Sequence, residues 1–145
     1  WVHEFGGARM FNVIAIKQAY PGHARQAGLL AAGCQSASYL GRFVAVVDED
    51  VDPTDLFDVM WAICTKMDPA RDITVIENTP IDYLDFASPE SGLGSKIGLD
   101  ATDKLPPETH REWGNEIRMD QAVIDAVSEK WARLGLPGDG KPIWK

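Results

Sequence analysis

The sequence predicts an α/β domain whose largely parallel sheet comes from a βαβαβ unit and is covered by helices. Two observations carry this prediction. Short apolar runs alternate with longer segments of helical periodicity over residues 11–77. Residues 43–47 are consecutive apolar residues without alternation, which is typical of a strand covered on both faces. The order strand, helix, strand, helix, strand favours parallel pairing through right-handed crossovers.

The first strand and the first helix follow from residue type. Residues 11–17 read FNVIAIK, which is rich in β-branched side chains, and the Tyr-Pro-Gly at 20–22 ends the strand. Pro21 suits the first turn of a helix, because an N–H at that position would have no intrahelical partner. We expect this helix to end near Gly41, before the second strand at 43–47.

The second helix and the third strand are predicted in the same way. An apolar side chain recurs every three or four positions along one helix face, at Leu56, Val59, Met60, Ile63 and Met67. This helix should stop before Asp68-Pro69, because the residue that precedes a proline resists helical dihedrals. Residues 73–77 (ITVIE) then form the third strand.

The rest of the chain is less regular. Between residues 78 and 118, prolines and glycines interrupt every periodic pattern, which predicts a long irregular segment. Helical periodicity returns over about 119–135, where Gly135 suits a helix end. We interpret residues 1–145 as a single domain, because a chain of this length is of ordinary domain size.

The composition is that of a soluble globular protein, with 45% apolar residues and a net charge of −8. This charge disfavours binding to nucleic acid and to anionic membranes, which attract Lys and Arg. No apolar run approaches the roughly 20 residues of a membrane span. Cys34 and Cys64 form no paired framework, which predicts two buried thiols in a protein of the reducing cytoplasm.

An acidic turn follows the second predicted strand, in the sequence VVDEDVDP at 46–53. Asp52 before Pro53 predicts an N-cap and a first helical residue, and Asp55 then lies in the first turn. The carboxylates at 48–50 lie where open parallel sheets tend to bind ligands. They therefore allow a Mg²⁺-type site, but the pattern favours a solvated turn.

No complete catalytic set stands out from spacing alone. Residues 91–102 carry several glycines but fit neither the Walker pattern nor the dinucleotide-binding pattern, which favours a packed loop. The three histidines are too far apart in sequence to indicate a metal site. Asp82 and Asp85 are candidates for a general acid and base, but their spacing in a proline-bounded loop favours surface carboxylates.

Five motifs together carry a family resemblance. They are DEDVDP at 48–53, WAICTKMDPARD at 61–72, ENTPIDYLDFASP at 77–89, GLGSKIGLDAT at 92–102 and HREW at 110–113. With these motifs, the chain resembles the C-terminal region of the UbiD family of decarboxylases over nearly its whole length. The resemblance implies that residues 1–145 are the C-terminal domain of a longer protein.

The resemblance also implies an activity for the full-length protein. That activity is a nonoxidative carboxy-lyase reaction on a small aromatic or unsaturated carboxylic acid, in ubiquinone biosynthesis or aromatic acid metabolism. The implied cofactor is prenylated FMN with Mn²⁺, and with K⁺ as an optional second cation. The family's catalytic and metal-binding residues belong to upstream domains, so no catalytic, cofactor-binding or metal-binding residue is carried over to this chain, and the chain alone is expected to be inactive.

Two roles are implied for the domain itself, namely closing one side of the active-site cleft and assembling subunits into a homodimer or hexamer. Alignment with the family places five residues near the substrate pocket: Ser36, Tyr39, Pro80, Ile81 and Tyr83. An alternative hypothesis is a stand-alone acidic protein-interaction module that has this fold and no catalysis.

Overall fold

The computed structural model describes residues 1–7, 9–35, 39–115 and 117–138. They belong to two compact units, Trp1–Trp113 and Gly114–Lys145. The first unit contains a short 3-10 helix at Glu4–Gly6, followed by β1 (Phe11–Ile16), α1 (His23–Gly33), β2 (Phe43–Asp48), α2 (Leu56–Lys66), α3 (Pro69–Asp72), β3 (Ile73–Pro80) and β4 (Leu93–Ala101). The second contains α4 (Gln121–Trp131) and a 3-10 helix at Ala132–Leu134. The interpretation of 1–145 as one domain stays a prediction.

The four strands form one sheet in the order β1-β2-β4-β3. β1 pairs with β2 in parallel, β2 pairs with β4 in parallel, and β3 pairs with β4 antiparallel. The predicted α/β class with a largely parallel sheet is therefore confirmed. The C-terminal helix predicted near 119–135 is confirmed as α4 and the short 3-10 helix that follows it.

Two details of the predicted strand order are wrong. The segment 78–118 is not irregular throughout, because it contains β4, which takes the parallel place beside β2. β3 is instead an antiparallel edge strand, and the 12 residues that connect it to β4 contain no helix. β4 is not predicted from the sequence because Lys96, a charged residue, interrupts its apolar pattern. Lys96 is buried, and its ammonium donates to the Ala32 carbonyl at 2.8 Å.

The boundaries of α1 and α2 differ from those predicted. α1 begins at His23 after Gly22, whose φ of 83° suits glycine, and it ends at Gly33 rather than near Gly41. The N-cap of α2 is Asp55, which accepts from the Phe57 amide, and not Asp52. Asp52 instead accepts from the amide and hydroxyl of Thr54, at 2.9 and 2.7 Å. Its carboxylate is thereby occupied in a turn that precedes the helix.

The helices cover opposite faces of β2. Successive side chains of a strand point to opposite faces. Val47 therefore packs on α2, in a buried cluster with Val59 and Ala62, whereas Val46 faces α1. Both faces of β2 are thus covered, as the unbroken apolar run predicts. Cys34 and Cys64 do not belong to this core. Both are exposed, so the prediction of buried thiols is wrong.

Close packing of α1 on the sheet depends on Gly28. A Cβ built at Gly28 would lie 3.4 Å from Val46 Cγ2. Gly28→Val is therefore expected to overpack this contact and lower the free energy of unfolding by about 1–3 kcal/mol. The matched control is Gly33→Val in the same helix, where a Cβ meets no atom within 4 Å. Urea unfolding followed by circular dichroism tests both variants, and equal effects would contradict this account of the packing.

No helix in the described ranges has both the length and the apolar character that crossing a bilayer requires.

Candidate functional site

A backbone hydrogen bond brings two of the predicted pocket segments together. The amide of Asp82 donates to the carbonyl of Tyr39 at 2.9 Å, and the amide of Ile81 donates to Gly92 at 3.2 Å. We call the region formed by Tyr39 and residues 80–83 the junction. Within the junction, the side chain of Ile81 is buried, whereas those of Tyr39 and Tyr83 are exposed. Ser36 lies outside the described residues, and the pocket-lining role of all five residues stays a prediction.

The loop after the junction is held by its own side chains. Asp82 Oδ1 accepts from the amide of Leu84 at 2.9 Å, and Asp85 Oδ1 accepts from the amide of Ala87 at 3.1 Å. The hydroxyl of Ser88 donates to the carbonyl of Asp85 at 2.6 Å. These bonds replace the regular pairing that a loop lacks, so the backbone of residues 82–88 is fixed locally.

Asp85 is not a surface carboxylate, and that interpretation is wrong for this residue. Its side chain is 4% exposed and forms an ion pair with Arg42, whose side chain is 21% exposed. Sequence reasoning missed this partner, because Arg42 is 43 positions away and nothing local links the two residues. The only signal in the sequence is the placement of Asp85 between Leu84 and Phe86, two apolar residues that one would expect beside a buried position.

Glycines in the 91–102 stretch allow the chain to approach the junction closely. Gly92 has φ of 80°, and a Cβ there would lie 3.2 Å from Tyr83 Cε1. At Gly94, a Cβ would lie 3.2 Å from Ile81 Cγ2 and 3.3 Å from Ser88 Cβ. These glycines therefore serve backbone conformation and close packing rather than phosphate binding. The predicted packed loop is strand β4 from Leu93 onward.

The acidic turn after β2 is tied to a lysine of α2. Asp48 Oδ2 lies 2.9 Å from Lys66 Nζ and accepts from the amide of Asp103 at 2.7 Å. Lys66 Nζ also lies 2.9 Å from Asp103 Oδ1. Burial alone would lower the pKa of Lys66, but its hydrogen bonds to Asp103 and Asp48 outweigh burial and raise this pKa. Asp48 thus joins the ends of β2, α2 and β4.

A second charged cluster fixes α3 beside the end of β4. Lys104 Nζ lies 2.8 Å from Asp100 Oδ1 and 3.5 Å from Asp72 Oδ1. Asp72 also accepts two hydrogen bonds of 2.6 Å from Arg71 and one of 2.7 Å from the amide of Asp68. Burial alone would raise the pKa of Asp72, but the bonds from Arg71 and Asp68 and the charge of Lys104 lower it.

Neither the acidic turn nor the junction offers a metal site in the part of the chain that the structure describes. No group of three or more His, Cys, Asp or Glu side chains is placed there to hold a metal ion. At the junction, Asp82 supplies one carboxylate and Tyr39 and Tyr83 supply phenols, which is not the oxygen-rich ligand set that Mn²⁺ prefers. The described residues therefore do not fit Mn²⁺.

The fold defines an α/β domain in which a backbone hydrogen bond joins Tyr39 to the segment 80–83. The chain belongs to the UbiD family. Residues 1–101 match the family described as the 3-octaprenyl-4-hydroxybenzoate carboxy-lyase C-terminal domain.

Solved structures of UbiD-class enzymes share the fold. The chain is similar to the vanillic acid decarboxylase of Sedimentibacter hydroxybenzoicus in its open form, with 31% identity and a TM-score of 0.73 over 84% of this chain and 26% of that one. It is also similar to the closed form, with 31% identity and a TM-score of 0.74 over 84% of this chain and 25% of that one. The UbiD-class enzyme HmfF of Pelotomaculum thermopropionicum in complex with FMN gives 28% identity and a TM-score of 0.69, over 87% and 26% of the two chains.

An evolved dimeric form of HmfF in complex with prFMN is similar as well, with 25% identity and a TM-score of 0.60 over 87% of this chain and 23% of that one. The chain thus spans about a quarter of the length of the enzymes it matches.

Proposed function

We propose that this chain is the C-terminal, cleft-closing and oligomerisation domain of a cytoplasmic, prenylated-FMN-dependent decarboxylase of aromatic or unsaturated carboxylic acids. The observation that carries the proposal is the hydrogen bond between Asp82 and Tyr39, which joins two segments that the family resemblance assigns independently to the substrate pocket. Support comes from family membership and from relatives solved with FMN or prFMN.

In the proposed enzyme, this domain contacts the substrate, and the other domains hold the cofactor and the metal ions. When bound, prenylated FMN supplies an electron sink for the loss of carbon dioxide. The junction contributes aromatic and apolar side chains, which suit the ring of an aromatic acid and exclude water from it. Since the described residues do not fit Mn²⁺, we assign the groups that hold it to the other domains, together with those that hold K⁺ and the flavin phosphate.

Cleft closure and self-association are supported by the relatives. The vanillic acid decarboxylase is known in open and closed forms, and one form of HmfF is dimeric. A domain at the edge of a cleft is well placed to move between such forms, because closure excludes water from the reacting groups. Mass determination in solution on the full-length enzyme tests the assembly role, and a monomer at high concentration would contradict it.

Tyr83→Ala is expected to lower kcat/KM for an aromatic acid by about fivefold in the full-length enzyme loaded with prenylated FMN, because an aromatic contact contributes roughly 1 kcal/mol. Release of carbon dioxide is the measurement. The matched control is Tyr20→Ala, since Tyr20 is also exposed but stacks on His23 before α1. If the full-length protein released no carbon dioxide from any aryl or unsaturated acid, the alternative of an acidic interaction module would replace this proposal.

A further inference from the structure

We infer that Arg42 and Asp85 are positioning residues, whose buried ion pair holds the loop that carries Tyr83 in the conformation needed to contact the substrate. This inference rests on the proposed function and deepens it. It assigns a role to two charged residues that lie below the junction and that no described contact places in direct reach of a substrate.

Arg42 provides the fixed end of the pair. Its carbonyl accepts from the amide of Ile97 in β4 at 2.8 Å, and its amide donates to the carbonyl of Leu40 at 2.8 Å. Phe43, the next residue, begins β2. The backbone of Arg42 is therefore part of the rigid sheet, and its guanidinium is a donor at a set position beneath the loop.

Asp85 provides the other end, at the centre of the loop. Its amide donates to Asp82 at 3.0 Å, and its carbonyl accepts from the amide and the hydroxyl of Ser88 at 3.3 and 2.6 Å. Asp82 in turn bonds to Tyr39 through its own amide. The loop is thus connected to the segment 39–42 at two points, one neutral and one charged.

The side chains that the loop presents explain why such a connection is needed. Tyr83, Leu84 and Phe86 are 77%, 77% and 95% exposed. Exposed apolar side chains in an unsupported loop gain by collapsing onto the nearest apolar surface. Anchoring Asp85 between them prevents that collapse and orders the loop beforehand, so that contact with a ligand costs less conformational entropy.

The pair is tested with Asp85→Asn, which keeps the shape of the side chain and removes its charge, and with Arg42→Lys, which keeps the charge and removes the planar fork. The matched control is Glu49→Gln, because Glu49 forms an exposed ion pair with Lys17 at 3.4 Å. Full-length enzyme is used throughout, and thermal melting shows that each variant is folded. If Asp85→Asn fails to fold, Arg42→Lys carries the test.

Both the rate of amide hydrogen exchange in the loop and the KM for the substrate are expected to rise in the two variants. Amide hydrogen exchange in residues 82–88 should be at least about tenfold faster in both variants than in wild type or Glu49→Gln, since the loop loses its anchor. KM for the aromatic acid should rise by up to about fivefold while kcat changes less, because the positioning residues act through Tyr83 and cannot cost more than the loss of its side chain. A purely structural role would speed the exchange without this split between KM and kcat.

Two results would overturn the inference. One is unchanged exchange at 82–88 in both variants. The other is faster exchange with unchanged KM, in an enzyme whose KM does rise for Tyr83→Ala. The proposed function fails by a different result, which is that the full-length wild-type protein releases no carbon dioxide from any aryl or unsaturated acid, whereas unchanged KM and kcat in Tyr83→Ala and in both pair variants would also overturn the inference in an active enzyme.

Discussion

Replacing Lys104 by methionine is expected to lower the free energy of unfolding by about 3–5 kcal/mol, the cost of leaving buried charge without its partner. The side chain of Lys104 is 1% exposed, and that of Asp72, its neighbour at 3.5 Å, is 3% exposed. Methionine preserves the length of the side chain and removes its ammonium group. Asp72 and Asp100 then face each other at the end of β4 with less positive charge between them.

Urea unfolding at neutral pH measures this loss, and two further variants identify its cause. Lys17→Met removes a lysine from an ion pair whose side chains are 80% and 60% exposed, and it should change stability little. Lys104→Met combined with Asp100→Asn should recover part of the loss, because Asp100 Oδ1 is the nearest carboxylate oxygen to Lys104 Nζ. Equal losses for Lys17→Met and Lys104→Met would contradict the role assigned to the cluster.

The loss of unfolding free energy in Lys104→Met should also depend on pH, and the ionisation of Asp72 determines the direction of this dependence. The folded-state pKa of Asp72 is lowered, so its stabilising contribution is present above its unfolded pKa of about 3.9 and is lost as pH falls through the folded value. Once Asp72 is protonated, it no longer needs a cation. The gap in stability between wild type and Lys104→Met should therefore narrow under acid conditions.

The parts of the fold that could be predicted depend on local patterns. β2 is predictable because a buried parallel strand is a continuous apolar run, and β1 because it is rich in β-branched side chains. α2 is predictable because apolar side chains, Val59 among them, recur along it at helical spacing. The N-cap of α2 is less predictable than the helix itself, since the acidic turn contains several aspartates that would each suit an N-cap. Asp55 rather than Asp52 takes that position because Asp52 is already bonded to Thr54.

The parts that could not be predicted depend on contacts between distant residues. The sequence does not predict β4 as a strand because its pattern contains Lys96, a buried lysine whose ammonium donates to the carbonyl of Ala32 near the end of α1. Burial lowers the pKa of Lys96, with the charge of Cys34 opposing it. Likewise, the ion-pair partner of Asp85 is not predictable from its neighbours, because Arg42 directly precedes β2 and lies 43 positions away in the sequence. The periodicity of a sequence therefore does not predict which distant residue pairs with a buried charged side chain.

In the candidate site, too, some features are predictable from the sequence and others depend on contacts between distant residues. The family resemblance places Tyr39 and residues 80–83 near one pocket, and the structure shows that a backbone bond joins these two segments. It does not show why the segments stay joined. That explanation needs Gly94, whose missing side chain lets Ile81 and Ser88 lie against β4.

Gly94→Val is therefore expected to reduce kcat/KM of the full-length enzyme by about 100-fold, the scale of a displacement of about 1 Å in a positioning group. The added Cβ would lie 3.2 Å from Ile81 Cγ2 and 3.3 Å from Ser88 Cβ, so the new side chain pushes on both ends of the loop. The loop can move outward, because its outer side chains are exposed. The free energy of unfolding should then fall by only about 1–3 kcal/mol, the usual cost of overpacking.

The matched pair Gly94→Ala and Gly98→Ala separates displacement of the loop from a general weakening of β4. Both glycines lie on the same strand, but a Cβ at Gly98 finds its nearest atom, Thr74 Cβ, at an ordinary 3.8 Å. Gly94→Ala should therefore give a smaller loss of kcat/KM than valine, and Gly98→Ala should give none. Equal activity in all three variants would mean that the junction does not contact the substrate. A loss that followed unfolding free energy alone would mean that β4 stabilises the domain without positioning the loop.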